Sequence, residues 1–79
     1  MQASEVESLI QAEMPEADVR VASDDNTHFE ALVIAEAFTG KRPLQRHQMV
    51  YKGLGTLMGN EIHALSIQAL TPEEWSQRG

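Results

Sequence analysis

The segment Ile62–Leu70 places His63, Leu65, Ile67 and Ala69 on one side and Ala64, Ser66 and Gln68 on the other, the alternation of a half-buried strand. It runs without a break into Thr71-Pro72-Glu73-Glu74-Trp75, which combines an N-cap, a proline at N1 and an acid at N3. A strand that passes directly into a short helix commits the chain to a mixed architecture, and the upstream residues are read around that junction.

Ser4 with Glu7 forms a capping-box pattern, and Val6, Leu9, Ile10 and Met14 recur at helical spacing until Pro15, so residues 4–14 read as a first amphipathic helix. Val19 and Val21 suggest a short strand, followed by the turn chemistry of Asp24-Asp25-Asn26-Thr27. The run Phe29–Ala37, bounded by Thr39-Gly40, reads as a second strand paired to the first, although its length also suits a helix. Pro43 opens a helix whose apolar stripe is Leu44, His47, Tyr51 and Leu54, widened by Met49 and Val50. Gly53 and Gly55 weaken it, and Thr56-Leu57-Met58 form a short second turn before Gly59-Asn60, a helix–turn–helix-like element. The order is αββααβα, an α+β fold with a three-stranded sheet and helices packed on it, occupying residues 1–79 as one domain with no internal repeat or linker.

A chain of this size buries only roughly 60% of its unfolded surface. That is too little to enclose a large substrate cavity, so binding through a groove or edge, and therefore partners, is expected. The absence of cysteine excludes disulfides, nucleophilic thiols and any zinc or iron–sulfur site built on the chain's own thiolates. There is no Gly-x-Ser-x-Gly elbow, and Gly53-Leu54-Gly55 opens neither a dinucleotide nor a phosphate-loop signature, so an enzyme is not expected. The acid pairs Asp24/Asp25 and Glu73/Glu74 suit a turn and a helix start, and the Asp-rich loop lacks the glycine and distal glutamate of a calcium loop. No apolar run spans a bilayer and Met1-Gln2-Ala3-Ser4-Glu5 lacks a secretory pattern, so a cytoplasmic protein without membrane contact is expected.

The net charge of −6 is segregated. Residues 1–36 hold nine acids and one base, whereas residues 37–60 hold no acid and four bases, Lys41, Arg42, Arg46 and Lys52, with His47 among them. Four bases form either a solvated helix face or, if they converge, a surface for an anionic partner. The histidines differ in setting: His28 at a loop-to-strand junction, His47 on the apolar stripe of the basic helix as a core or hydrogen-bonding residue, and His63 at the rim of the last strand, the better exposed for a ligand.

Thr27-His28-Phe29-Glu30, Phe38-Thr39-Gly40-Lys41-Arg42-Pro43-Leu44-Gln45-Arg46-His47-Gln48-Met49-Val50-Tyr51, Ile62-His63-Ala64-Leu65-Ser66-Ile67 and Leu70-Thr71-Pro72-Glu73-Glu74-Trp75, in that order, resemble the BolA family over about residues 4–76. The short N-terminus and the Ser-Ile strand are closer to its bacterial IbaG-like (YrbA-like) branch. The resemblance implies a class II KH-like αββααβα fold and a role beside a cytosolic monothiol glutaredoxin, with which a [2Fe–2S] cluster is shared. Glutaredoxin and glutathione would supply the thiolates, and the family's C-terminal histidine falls on His63. The cluster would not be bound by the isolated chain, and mixed imidazole and thiolate ligation has precedent in Rieske centres.

The family's second ligand is a cysteine or histidine in the loop between the first two strands. Four residues before Phe29, where several members carry that cysteine, this chain has Asp25, and the nearest soft donor is His28. The resemblance leaves His28, Asp25 as a hard oxygen ligand, or neither. The family's other activity, transcriptional regulation in the stress response through the helix–turn–helix-like element, would map onto Lys41, Arg42, Arg46 and Lys52. Four phosphate contacts give a salt slope of only about −3.6, and no Gly-x-x-Gly clamp for RNA occurs. Iron–sulfur handling or iron homeostasis is the leading expectation and DNA binding the alternative; weak self-association is left open.

Overall fold

Phe29, Ala31 and Val33 are buried while His28 and Glu30 are exposed, and in the computed structural model, which describes residues 1–78, this alternation forms the central strand β2 (His28–Ile34). β1 (Asp18–Ala22) pairs with it antiparallel, from Asp18 against Ile34 to Ala22 against Glu30. β3 (Ala64–Leu70) pairs on the other side in parallel, from His28 against Ala64 to Ile34 against Leu70, giving the sheet order β1-β2-β3. Parallel neighbours require a crossover, and residues 35–63 supply it, carrying the helix α2 (Pro43–Leu54) across one face. α1 (Ala3–Glu13) lies beside α2, and α3 (Pro72–Arg78) follows β3. The fold is α+β, with Val6 and Ile10 of α1, Val50 and Leu54 of α2, Phe38 and Ile62 packed on Val19, Phe29, Ala31 and Val33. No helix among the described residues is long and apolar enough to cross a membrane.

The expected elements recur with four corrections. The second strand ends at Ile34, not Ala37: the Ala35 amide donates to the Leu70 carbonyl (3.0 Å), but β3 stops there at the Thr71-Pro72 helix start and offers no further ladder. The chain turns instead through a 3-10 turn, Glu36–Phe38, which sinks Phe38 completely into the core. At the first helix, Glu5 rather than Glu7 closes the N-terminus, accepting the Gln2 amide (2.9 Å); Glu7 accepts the Val21 amide (3.0 Å) and so occupies a ladder position of edge strand β1.

The second half of the helix–turn–helix-like element is only a 3-10 turn, Gly55–Leu57, because α2 ends at Gly55 with φ 55° and ψ −130°, a conformation that favours glycine. α2 turns only part of its expected stripe inward, with His47 and Met49 half-buried. Val50 and Leu54 are buried, but Leu44 is 69% exposed and Tyr51 36% exposed. Gly53 explains the orientation: a Cβ there would lie 2.8 Å from the Glu13 Cβ and 3.1 Å from the Leu9 carbonyl oxygen, so α1 rests directly on the α2 backbone. Gly53→Val is accordingly expected to destabilise by about 1–3 kcal/mol through overpacking. A lowered urea midpoint with an unchanged denaturant slope checks this; an unchanged midpoint contradicts it.

β3 alternates as expected, Leu65, Ile67 and Ala69 half-buried and Ala64, Ser66 and Gln68 exposed. α3 begins with the full capping box: the Glu74 amide donates to Thr71 Oγ1 (3.1 Å) and the Thr71 amide to Glu74 Oε1 (2.8 Å).

Candidate functional site

Parallel pairing places the N-terminal ends of β2 and β3 at the same end of the sheet, and with them the β1–β2 loop and His63. The Thr27 carbonyl accepts from the amides of both His63 (3.1 Å) and Ala64 (3.4 Å), so the backbones of His63 and of the loop are tied together. His63 occupies the bend between the fully buried Ile62 and Ala64, where the Gly59 amide donates to the Ile62 carbonyl (2.8 Å) and the Ile62 amide to the Leu57 carbonyl (3.0 Å). Its backbone is held while its side chain is exposed.

The loop is organised by Asp25. Its Oδ1 accepts the amides of Thr27 (3.0 Å) and His28 (2.9 Å), and its Oδ2 lies 2.8 Å from His28 Nδ1, which is also 3.1 Å from Thr27 Oγ1. Ser23 Oγ donates to the His28 carbonyl (2.6 Å) and accepts the Asn26 amide (2.9 Å), with Asn26 at φ 62°. These bonds, the His28 amide foremost, then the Thr27 amide and the His28 ring, hold the Asp25 carboxyl well below the usual carboxylate range. As an ionised carboxylate Asp25 can only accept, so the contact requires the hydrogen on His28 Nδ1, and in the neutral ring this tautomer carries its lone pair on Nε2. Metal-ligating histidines are commonly oriented this way, their second nitrogen donating to a carboxylate. The His28 side chain is 67% exposed.

A recess of about 290 Å³ beside the loop is lined by Asp24, Asp25, His28, Glu30, Ala64 and Ser66. His63 is not in its lining, so the two expected ligands share one end of the sheet without sharing this recess. Among the described residues no three histidine, aspartate or glutamate side chains form a metal site. Two exposed imidazoles, those of His28 and His63, lie at this end of the sheet.

The four bases do not act as one patch. Arg46, expected on the partner surface, turns inward: its side chain is 13% exposed, Nε donates to the Lys41 carbonyl (2.9 Å), and Nη1 to the Ala69 carbonyl (2.9 Å) and Glu74 Oε1 (2.7 Å). The guanidinium also lies 5.8 Å from the Phe38 ring centroid. It therefore clamps the start of α2 to the end of β3 and to α3. Lys52 Nζ lies 3.8 Å from Glu13 Oε1 but its side chain stays 79% exposed, so the exposed cations are Lys41 and Arg42 at the α2 start and Lys52 near its end. His47 is half-buried, and its ring makes no hydrogen bond among the described residues.

The Arg46 bond, followed by the Thr71 amide, lowers the Glu74 carboxyl from its ordinary 4.5. A depressed folded value means stabilisation that is complete above pH 4.5 and lost as pH falls below it through the lowered value. Glu74→Gln is thus expected to melt below the parent at neutral pH, with the gap closing in acid; a gap independent of pH contradicts this.

Against known proteins, the family described as BolA-like protein matches residues 4–74. The chain belongs to the BolA family. BolA relatives include Acid stress protein IbaG of Escherichia coli K12, 35% identical over 98% of this chain and 92% of its own length. BolA-like protein 1 of Homo sapiens is 42% identical over 72% of this chain, which spans 42% of the human protein's length. The DNA-binding transcriptional regulator BolA of Vibrio cholerae is 40% identical over 72% of this chain and 54% of its own length. Among solved structures, a BolA homologue from Coxiella burnetii superposes with a TM-score of 0.85 at 37% identity, covering 96% of this chain and 97% of that one. The BolA domain of SufE1 from Arabidopsis thaliana gives a TM-score of 0.76 at 29% identity, covering 91% and 93%.

Two roles in this BolA chain were not visible in the sequence. The orienting contact of Asp25 with His28 had a signal, acid and histidine three apart in a turn, but it reads equally as turn chemistry. The Arg46 clamp joins residues 28 positions apart, and no local pattern marks it.

Proposed function

We propose that this BolA chain is a non-enzymatic cytoplasmic adaptor that docks a monothiol glutaredoxin and contributes histidine to a shared [2Fe–2S] cluster, in iron–sulfur handling or iron homeostasis. The observation that carries the reading is the parallel pairing that brings exposed His63 and the Asp25–His28 loop to one end of the sheet. The donor chemistry fits: imidazole suits iron, the chain has no thiolate to offer, and sulfur ligands would come from the glutaredoxin and its glutathione. His63 is assigned as ligand, with His28, oriented by Asp25, as the second. Asp25 is assigned to the orienting role because both its oxygens are already engaged by the loop. The description of a plant relative as a BolA domain of a larger protein supports a modular rather than catalytic role. Anaerobic pulldown from native cytosol tests it: a glutaredoxin recovered with iron is the expected result, and recovery of nucleic acid without glutaredoxin contradicts it.

DNA binding is the second reading, favoured by the description of the Vibrio cholerae relative and by the exposed Lys41 and Arg42. With Arg46 withdrawn into the fold, three bases remain, for a salt slope of about −2.7. Under this reading Arg42→Glu abolishes retardation of promoter DNA at low salt; under the adaptor reading there is no promoter-specific retardation to lose.

A further inference from the structure

A half-open groove of about 570 Å³ lies at the end of the sheet opposite the histidines, where β2 finishes and α3 begins. Its walls include Met14, Ile34 and Met49, and its rim carries Glu13, Glu16 and Glu36 with Lys52. We propose that this groove docks a basic amphipathic segment of a partner protein, its apolar side chains against the methionines and its cations toward Glu16 and Glu36.

Three features select that occupant. Methionines are unbranched and polarisable, so a surface built on them adapts to differing apolar side chains. The rim charge is lopsided: Lys52 lies beside Glu13, while Glu16 and Glu36 have no ion-pair partner among the described residues. An anionic segment would be repelled and a cationic one attracted. Finally, the chain's own basic segment cannot serve in cis, because Met49 and Lys52 of α2 are themselves part of the groove.

The seven residues of β2 separate this groove from the histidine end by roughly 20 Å. Both ends can therefore be engaged at once. The proposal does not depend on the cluster reading.

The test is an NMR titration of the full-length, isotopically labelled chain with a synthetic helical peptide, leucines at i, i+3, i+4 and i+7 and lysines elsewhere, at about 0.15 M salt. Saturable one-to-one shifts confined to Met14–Ala17, Ile34–Ala37 and Met49 are expected. Glu16→Lys and Glu36→Lys should each weaken binding by about threefold. Glu61→Lys makes the same change in net charge near the other end and should produce less than half that effect. Three equal losses would reduce the binding to general attraction by an acidic chain and overturn the proposal. Shifts centred elsewhere, or the same shifts appearing with protein concentration alone through self-association, would also overturn it. His63→Ala is expected to leave the titration unchanged, so failure here and failure of the cluster reading are separately visible.

Discussion

His63→Ala is expected to abolish the visible charge-transfer absorption that forms when the chain is mixed anaerobically with a monothiol glutaredoxin, glutathione and iron. The side chain is exposed and its removal leaves the Ile62 and His63 backbone bonds in place, so stability should stay within about 0.5 kcal/mol of the parent. Loss of the spectrum would then report ligation rather than unfolding. His28→Ala should shift the bands and shorten cluster lifetime without abolishing the complex. Asp25→Asn discriminates further: with its one oxygen held by the Thr27 and His28 amides, its amide nitrogen faces Nδ1 and cannot accept from it, which favours the tautomer with hydrogen on Nε2 and blocks that lone pair. A fall of about 10–100-fold in cluster affinity is expected. An unchanged spectrum with His63→Ala would sink the assignment of that residue.

Arg46→Ala is expected to give the largest loss of stability among the basic residues. Two carbonyls, of Lys41 and Ala69, lose a charged donor, and the guanidinium beside Phe38 is removed. These terms amount to about 2–4 kcal/mol, leaving aside the solvent-screened pair with Glu74. For a domain of this size the melting temperature should fall by on the order of 10 °C or more. Arg42→Ala, at an exposed position, should change it little. Equal, small effects would return Arg46 to the surface. The consequence for function is direct: loss of any binding on substituting Arg46 reports the clamp, so Lys41 and Arg42 are the positions at which to probe a partner or DNA.

The readable parts of this fold are those whose cause is local. The alternation in Leu65–Ala69 and the Thr71/Glu74 cap depend on residues a few positions apart, and both appear as expected. The end of β2 was not readable, because Phe29–Ala37 stays apolar past the point where β3 stops supplying partners. The exposure of Leu44 and Tyr51 on the α2 stripe was not readable for a related reason. Gly53 looked like a weak point in a helix, whereas its value lies in the approach of α1, which no local pattern specifies. At the candidate site, the histidines could be named from the sequence, but their placement at one end of the sheet follows from β2–β3 register, and Asp25's bond to His28 from loop geometry. Charge segregation was real in sequence yet misleading in space, since Arg46 is inside the fold and Lys52 stands beside Glu13.

The proposed role has this chain complete a cluster whose sulfur ligands belong to another protein. Native mass spectrometry of the anaerobic mixture with a monothiol glutaredoxin, glutathione and iron tests it most directly. A one-to-one heterodimer is expected, its mass including one [2Fe–2S] cluster and glutathione, and it should disappear with His63→Ala. A glutaredoxin homodimer retaining the cluster, with this chain left monomeric and free of iron, would contradict it.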